Sequence, residues 1–343
     1  MIVLSVAYPF AQVSLDSAGG AEQILALIDR GLVQLGHNSV VIAAAGSRVS
    51  GQLIAVRVEE ESHAGPNTAE VHGKWREAIA RTIQRCRPDI VHLHGLDFDR
   101  YLPEEECPVL VTLHLPASFY SQSAFYPSRS RTWFNCVSNS QRRWCPQSPL
   151  LVSTIENGVP LDLLDRPRST IETYAAAIGR ICPEKGFHLA LDAAEKAGVP
   201  LWLGGKVFPY PDHVRYWREV LSPRLRTPHR FVGAITMADK PSVLAGARCL
   251  LVTSSVAETS SLVAMEAMAC GTPVIAFPVG ALSELVESGR TGLLVDDVAQ
   301  MADAIHRVAA IDRQRCRDIA RARFSNRRMV EEYVSLYGRL VRK

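Results

Sequence analysis

The 343-residue sequence predicts an α/β protein with two Rossmann-like domains, each built on a parallel, doubly wound sheet. At about 150 residues per domain, the length suits two domains. In both halves, short and nearly continuous apolar segments alternate with amphipathic helical segments, which is typical of parallel sheets covered by helices. A polar stretch with several prolines, residues 157–170, separates the two series and is the best candidate for a linker.

The first half predicts five strands and two helices. Apolar spacing from Ile24 to Leu35 predicts a helix that Gly36 ends, and residues 75–86 predict a second helix that ends before Pro88. The predicted strands are 2–7, 39–45, 52–58, 90–93 and 109–113.

The second half repeats this alternation. Its predicted strands are 174–179, 200–203, 249–253 and 274–276, and its predicted helices are 187–197, 262–269 and 282–287. The end of the chain, 300–342, is expected to be helical and rich in arginine.

Composition and charge exclude several classes of protein. A net charge of +3 is well below that of a sequence-independent nucleic-acid binder. The eight cysteines are scattered, without the spacing of a disulfide scaffold or a zinc motif, and Cys249 and Cys270 are expected in the core. No signal peptide is recognisable and no apolar run reaches the roughly 18–20 residues of a membrane span. We therefore expect a cytoplasmic protein without stable membrane insertion.

The loop after the strand at 174–179 is the best candidate for an anion site. Arg180 and Lys185 flank Pro183 there, just before a predicted helix whose N-terminus favours negative charge. A guanidinium and an ammonium group together suit a diphosphate. The alternative is that both side chains are simply solvated.

Two carboxylates frame the predicted helix at 262–269. Glu258 precedes the helix and Glu266 lies within it, where an apolar neighbourhood disfavours an unpaired carboxylate. Ser260 or Ser261 can provide the N-cap, and Gly271 ends the helix. The two carboxylates could accept hydrogen bonds from the hydroxyls of a polyol. Alternatively, Glu266 pairs with a neighbouring arginine and Glu258 is an ordinary loop residue.

Two further features lie in the first half. Gly19 and Gly20 open the first helix and allow close approach of a ligand to the backbone, although a hairpin-like use is equally consistent. The alternate spacing of His92 and His94 leads us to expect rings on opposite sheet faces, unable to share a metal, with His92 structural. His114 follows the strand at 109–113 and is expected at the mouth of a cleft.

Taken in order, these segments resemble the retaining glycosyltransferases of family 4, which have the GT-B fold. The resemblance covers residues 1–298. Its pieces are Gly-Gly-Ala-Glu at 19–22, Thr-Leu-His at 112–114, Val-Ser-Asn-Ser at 137–140, Glu-Asn-Gly-Val-Pro at 156–160, Gly-Arg…Pro-Glu-Lys-Gly at 179–186, Phe-Val-Gly at 231–233, and the E-x7-E element from Glu258 to Glu266 that continues to Pro273.

The resemblance implies two domains facing each other across a cleft: an acceptor-side domain, 1–160, and a nucleotide-sugar domain, 170–324. It also implies that a last helix, 325–343, crosses back to the first domain. Its apolar residues lie at helical spacing, so we favour packing over the alternative of a basic amphipathic membrane helix.

The resemblance also implies roles for individual residues. Arg180 and Lys185 would neutralise the diphosphate, Glu258 would hold the hydroxyls of the donor sugar, and Glu266 those of the ribose. The backbone near Ala234 and Ile235 would meet the base. Gly19 and Gly20 would approach the phosphates, and His114 would lie beside the reacting sugar. The family needs neither a metal nor a cofactor.

One segment departs from the family pattern. Thr259, Ser260 and Ser261, followed by Leu262, stand where such families usually carry Gly-Phe-Gly, so side chains replace hydrogens close to the donor sugar. Within the family, the chain is most similar to bacterial UDP-glucose:tetrahydrobiopterin glucosyltransferases, which implies UDP-glucose as donor and a pterin-like acceptor. The D-x-D motif of another glycosyltransferase class is matched by Asp97-Phe98-Asp99, without supporting context.

The sequence thus predicts a hexosyltransferase that moves a sugar, glucose by preference, from a UDP-sugar to a hydroxyl of a small molecule or glycan. We expect no nucleic-acid partner, and the oligomeric state is left open. Two alternatives remain: a membrane-associated enzyme of the same fold acting on a lipid or polysaccharide, and a catalytically silent nucleotide-sugar-binding protein. A dinucleotide oxidoreductase is set aside because neither half contains G-x-G-x-x-G.

Overall fold

The computed structural model describes residues 1–58, 68–166 and 173–343. The chain divides into two compact units, one formed by Met1–Asn157 with Asn326–Lys343 and the other by Gly158–Ser325. The predicted start of the second domain, at residue 170, and the end of the predicted linker, 167–170, lie outside the described residues.

Strands and helices alternate along most of the chain. The strands are β1 (Ile2–Val6), β2 (Asn38–Ala44), β3 (Gln52–Val56), β4 (Ile90–Leu93), β5 (Val109–Leu113), β6 (Thr132–Cys136), β7 (Leu151–Thr154), β8 (Ala175–Ile178), β9 (Leu201–Gly204), β10 (Arg230–Gly233), β11 (Leu250–Val252), β12 (Val274–Ala276) and β13 (Gly292–Leu294). The helices are α1 (Gly20–Gln34), α2 (Thr68–Cys86), α3 (Asn139–Trp144), α4 (Leu161–Leu164), α5 (Phe187–Lys196), α6 (Pro211–Arg215), α7 (Lys240–Gly246), α8 (Leu262–Ala269), α9 (Leu282–Leu285), α10 (Val298–Arg307), α11 (Arg313–Arg323) and α12 (Asn326–Val341).

Each unit contains one parallel sheet. The first has seven strands in the order β3-β2-β1-β4-β5-β6-β7, and the second has six in the order β10-β9-β8-β11-β12-β13. The strand order reverses direction between β1 and β4 in the first sheet and between β8 and β11 in the second. The predicted fold class, two Rossmann-like parallel α/β domains, is confirmed.

The last helix, α12, belongs to the first unit, as predicted. The side chains on its buried face are 0–1% exposed: Met329, Val330, Tyr333, Leu336, Tyr337 and Leu340. A Cβ added to Gly31 of α1 would lie 2.5 Å from Val330 Cγ2. The absence of a side chain at Gly31 therefore lets the two helices pack closely. The face that a membrane would need is buried against the protein. Among the residues that the structure describes, no helix has the length and apolarity to cross a bilayer.

Several predicted boundaries were wrong. The helix predicted from residue 75 begins at Thr68, and the continuous helical end is three helices, interrupted around 308–312 and at 324–325. The predicted linker contains the short helix α4, whose Leu164 is fully buried. This part of the linker is therefore packed into the second unit. The strands β6, β7, β10 and β13 were missed. β10 is an edge strand whose side chains are mostly exposed, so it lacks the apolar run on which the other predictions depended.

Candidate active site

The carboxyl ends of β8 and β11 mark the position where a ligand is expected in the second unit. Neighbouring loops diverge where the strand order of an open parallel sheet reverses, and ligands bind in the crevice outside the strand ends. Arg180 and Lys185 lie in the loop after β8, and Glu258 lies in the loop after β11. The topology therefore brings the predicted cations and the first predicted carboxylate to the same edge of the sheet.

The loop after β8 is fastened to the loop after β11. The Ser255 N–H donates to Glu184 O at 2.9 Å, and Thr253 Oγ1 donates to Lys185 O at 3.0 Å. Gly186 makes this approach possible. Its φ is +61°, and an added Cβ would lie 2.2 Å from Thr253 O. Lys185 is thus held next to the second loop by backbone geometry rather than by its side chain alone.

Lys185 and Glu258 form an ion pair at this edge. Lys185 Nζ donates to Glu258 Oε1 at 2.5 Å, and the Ser254 hydroxyl donates to the same oxygen. The side chains of the pair are 27% and 12% exposed, so a ligand can still reach both. Ser254 was not identified from the sequence, since nothing in the linear pattern distinguishes it from other loop serines.

The backbone of Glu258 is held from its other side by Gly280. The Ala281 N–H donates to Glu258 O at 2.7 Å. Gly280 has a φ of +59°, and an added Cβ would lie 2.3 Å from Glu258 O. The loop after β12 therefore fixes the position of the carboxylate.

Arg180 is exposed beyond the end of β8. Within the described ranges, its guanidinium makes no hydrogen bond or ion pair. The structure brings Lys185 to Glu258 and leaves the Arg180 side chain projecting into solvent at the same edge.

Glu266 makes a different kind of contact. It is 2% exposed, and its Oε1 accepts a hydrogen bond from Lys240 Nζ at 2.7 Å. A carboxylate on an otherwise apolar helix needs such a partner when it is buried. The alternative prediction, that Glu266 pairs with a neighbouring arginine, was wrong about the residue type, because the partner is Lys240, the first residue of α7. Lys240 lies 26 residues away, so sequence spacing could not reveal it.

The segment that departs from the family pattern, residues 259–261, directly precedes α8. Ser261 occupies the N-cap position, but its side chain makes no capping hydrogen bond. Ser260 Oγ is buried and has no hydrogen-bond partner in the part of the chain that the structure describes. Thr259 is half-buried and Leu262 is the first helical residue. A buried hydroxyl close to Glu258 in sequence is therefore left unsatisfied within the described residues.

The predicted base-binding residues follow β10 at the same edge of the sheet. Ala234 is exposed and Ile235 is half-buried. An added Cβ at Gly204, the last residue of β9, would lie 2.2 Å from Ile235 Cδ1. Ile235 thus packs over the end of β9, next to the exposed Ala234.

In the first unit, Gly19 is the N-cap of α1 and Gly20 is its first residue. The Glu22 carboxylate folds back over Gly19, since an added Cβ there would lie 1.9 Å from Glu22 Oε2. Glu22 is 8% exposed. A carboxylate from the first turn thus occupies the space beside Gly19, while Gly20 is exposed.

The histidines at the ends of β4 and β5 form a cluster, which corrects one prediction. His92 and His94 are two positions apart in a strand and so lie on the same face, with ring centroids 4.0 Å apart. His94 Nδ1 lies 3.0 Å from His114 Nε2. His92 has the structural role expected of it: its Nδ1 lies 2.7 Å from Tyr337 Oη of α12, and its Nε2 lies 2.6 Å from Thr112 Oγ1.

Burial determines the charge of this cluster. It lowers the pKa of His114 to about 3 and those of His92 and His94 well below their usual value. All three rings are therefore neutral near pH 7. A neutral imidazole has one donor and one acceptor nitrogen, which suits the contacts between these rings.

The D-x-D motif has structural partners. Asp97 accepts a hydrogen bond from Tyr101 Oη at 2.8 Å and lies 2.5 Å from His72 Nε2. Asp99 interacts with Arg100 and Ser121. These contacts fit the interpretation that the motif is unrelated to a metal–diphosphate complex.

Two family models match the chain in succession. "Glycosyltransferase Family 4" matches residues 18–163, and "Glycosyl transferases group 1" matches residues 172–310, so together they cover most of the sequence. The chain belongs to the group 1 glycosyltransferases. The two family matches and the names of similar proteins indicate that this chain is an enzyme of the glycosyltransferase class.

Similar proteins support the same family. The D-inositol 3-phosphate glycosyltransferase of Mycobacterium tuberculosis H37Rv is 34% identical over 178 residues, a match that covers 46% of this glycosyltransferase and 36% of the relative. The match thus spans about a third of the length of the curated relative.

Solved structures with the GT-B fold match nearly the whole chain. A sucrose-phosphate synthase from Thermosynechococcus elongatus has a TM-score of 0.80 at 21% identity and 99% coverage of both chains. Anabaena HepE, crystallised with UDP and glucose, has a TM-score of 0.74 at 20% identity, with 98% of this chain and 99% of HepE covered. At these identities the structures establish the fold.

Proposed function

We propose that this glycosyltransferase transfers a hexose, glucose by preference, from a UDP-sugar to a hydroxyl acceptor with retention of anomeric configuration. The observation that carries the proposal is the 2.5 Å contact between Lys185 Nζ and Glu258 Oε1 at the strand-order reversal of the second sheet. A cation and a carboxylate side by side at this position suit a ligand with a diphosphate at one end and a polyol at the other.

In this proposal, Lys185 and Arg180 bind the diphosphate. Lys185 uses one of its three N–H donors for Glu258, so two remain for phosphate oxygens. Arg180 is exposed and adds a planar fork of donors. As the bond between sugar and phosphate breaks, negative charge grows on the leaving diphosphate, and the two cations stabilise it.

Glu258 binds the hydroxyls of the transferred sugar. Its carboxylate is already oriented by Lys185 and Ser254 through Oε1. The other carboxylate oxygen can accept from a sugar hydroxyl. Ser260 Oγ, which is buried without a partner in the described ranges, adds a donor or acceptor on the same loop. Ser260 stands where the family pattern carries phenylalanine, and its hydroxyl is the feature of this segment most able to change the choice of sugar.

Glu266 has a supporting role beside the ribose. Its Oε1 is bound to Lys240, whereas its other oxygen receives no hydrogen bond from the described residues and can accept one from a ribose hydroxyl. The roles proposed for Ala234 and Ile235 at the base, and for Gly19, Gly20 and His114, rest on the family resemblance.

The reaction is proposed to need no metal and no cofactor. The acceptor hydroxyl attacks the anomeric carbon from the face that the diphosphate leaves, and a departing phosphate oxygen takes the hydroxyl proton. Positive side chains then do the work that a metal does in other phosphate-transfer sites. The choice of UDP and glucose is supported by the HepE complex, which contains both.

The acceptor is proposed to be a small hydroxylated molecule. The sequence resemblance favours a pterin-like compound, and the mycobacterial relative is named for an inositol phosphate. Both belong in an acceptor panel, together with lipid and polysaccharide acceptors. Cytoplasmic location stays a prediction from the sequence.

The proposal is tested with the purified full chain and UDP-glucose. We expect saturable, donor-dependent transfer or slow donor hydrolysis that persists in excess chelator, and a product whose anomeric proton, read by NMR, retains the α configuration. Inversion would overturn the retaining mechanism, and loss of turnover in chelator would overturn metal independence. Tight UDP binding without hydrolysis or transfer across the panel would instead identify a silent nucleotide-sugar binder.

A further inference from the structure

A cluster of three potential metal ligands lies beside the anion loop. It consists of Cys182, Glu184 and His213, whose sulfur, carboxylate oxygen and ring nitrogen all lie within 4.8 Å of one another. Cys182 and Glu184 flank Pro183 in the loop after β8, and His213 lies on α6. Two separate elements of the second unit therefore meet at these side chains.

The environment of the cluster is partly closed. Cys182 is 3% exposed, His213 is half-buried and Glu184 is exposed. The His213 ring is held at its edges by Phe208 and Tyr210, with centroid distances of 6.3 and 5.1 Å. One side of the cluster is thus fixed, and Glu184 can move towards it from solvent.

One ring nitrogen of His213 lacks a hydrogen-bond partner. His213 Nδ1 is buried and makes no hydrogen bond with any residue in the described part of the chain. A buried ring nitrogen without a partner carries a desolvation cost, and such groups in native proteins call for an explanation. The Cys182 thiol makes a long contact, 3.6 Å, with Arg180 O and interacts with the Glu184 carboxylate inside the cluster. Both atoms could be satisfied by the same metal ion.

We propose that Cys182, Glu184 and His213 form a Zn²⁺ site that ties the anion loop to α6. Thiolate, imidazole and carboxylate are the three ligand types that Zn²⁺ takes in proteins, and a water molecule would complete a tetrahedron. Bond lengths of about 2.0–2.3 Å place tetrahedral ligands about 3.3–3.8 Å apart. The three atoms therefore need to approach one another by about 1 Å, which rotation of the exposed Glu184 and the thiol can provide.

The site uses other side chains than the proposed sugar transfer, although it shares the loop that carries Arg180 and Lys185. Lys185 points to Glu258, whereas Cys182 and Glu184 point to α6. On binding, a Zn–S bond forms, the thiol S–H bond breaks and its proton passes to the buffer. Zinc is therefore a structural ligand of the loop and takes no part in the bond-breaking step of the proposed transfer. Its binding can be measured whether or not UDP-glucose is a substrate.

The test uses the full chain, reduced and stripped of metal by a chelator that is then removed. We expect calorimetry with Zn²⁺ to show one site per chain and a Zn²⁺-dependent rise in melting temperature. Co²⁺ is expected to bind with an absorption band from thiolate-to-metal charge transfer. Loss of one ligand in Cys182→Ser or His213→Gln is expected to weaken Zn²⁺ binding by at least about 100-fold, since even removal of a ligand's supporting hydrogen bond costs 10–100-fold.

Matched controls are Cys86→Ser and His306→Gln, which change the same residue types elsewhere in the chain and should bind Zn²⁺ as the wild type does. If a ligand variant fails to fold, the wild type still decides: Zn²⁺ should protect Cys182 from alkylation, read by mass spectrometry of the peptide that contains it. No binding, binding unchanged in the ligand variants, or an unprotected Cys182 would each overturn the site.

Discussion

The buried ion pair between Lys240 and Glu266 provides a prediction with a large effect. Their side chains are 8% and 3% exposed, and the charged atoms lie 2.7 Å apart. Replacing Glu266 with leucine leaves the Lys240 ammonium buried without its partner. Breaking a buried pair in this way costs about 3–5 kcal/mol of unfolding free energy. At about 2–4 °C per kcal/mol for a unit of this size, Glu266→Leu should melt roughly 6–20 °C lower.

The double variant separates stability from ligand binding. Lys240→Met with Glu266→Leu replaces the pair by apolar side chains of similar volume, which is often neutral or stabilising. We expect the double variant to recover to within about 1 kcal/mol of the wild type in urea denaturation, giving a coupling energy of several kcal/mol in the mutant cycle. If Glu266 also binds the ribose, the recovered protein will still bind UDP more weakly than the wild type.

The reasoning is refuted if Glu266→Leu alone costs less than about 1 kcal/mol, because the carboxylate would then not be the required partner of a buried ammonium. It is also refuted if the double variant is no more stable than the worse single variant. Full UDP affinity in a well-folded double variant would leave Glu266 with a structural role only.

Three other predictions test the site and the core. Lys185→Ala should lower kcat by 100- to 1000-fold, equivalent to about 3–4 kcal/mol of transition-state stabilisation. The control variant Lys196→Ala changes an exposed lysine of the same unit and should have normal kinetics. Equal kinetics of the two variants would show that Lys185 is not part of the site. Gly186→Ala should impair both stability and UDP binding, because the new Cβ would lie 2.2 Å from Thr253 O. The control Gly198→Ala, at a similar φ of +65° with open space around it, should cost only the backbone strain of about 1–2 kcal/mol. Similar effects of the two variants in calorimetry would contradict the packing argument. Burial lowers the pKa of His114 to about 3, so as the pH falls the unfolded chain binds a proton at this residue before the folded chain does. The folded state therefore keeps its full stability above pH 6.5. Below pH 6.5 the free energy of unfolding falls by about 1.4 kcal/mol per pH unit because of this residue. We expect the free energy of unfolding, measured by denaturation between pH 7.5 and 5, to depend on pH less steeply in His114→Gln than in the wild type or His306→Gln, by the equivalent of one proton. Equal slopes in the three proteins would contradict this prediction.

Local pattern predicted the elements that are buried on both faces. β4, β5, β12 and α8 have the predicted bounds because continuous apolar runs, or a helix ended by Gly271, leave little choice. Strands such as β6, with Thr132 and Asn135 among its buried residues, depend on side-chain partners from other elements and so carry no clear pattern.

Site residues divide in the same way. The order of the motifs predicted which loops matter, and the parallel topology brings Lys185 to Glu258. Contacts made across long sequence separations were not predictable: Lys240 with Glu266, and His92 with Tyr337, 245 residues apart. The histidine error was of another kind, since the two-residue period of a strand already places His92 and His94 on one face.

The central claim is that the loops after β8 and β11 bind the diphosphate of a nucleotide sugar. Calorimetric titration of UDP into the wild type, Lys185→Ala and the control Lys196→Ala tests it most directly. We expect one UDP per wild-type chain, affinity at least tenfold weaker in Lys185→Ala, equivalent to about 1.4 kcal/mol, and no change in the control. No UDP binding by the wild type, or equal affinity in all three proteins, would contradict the account.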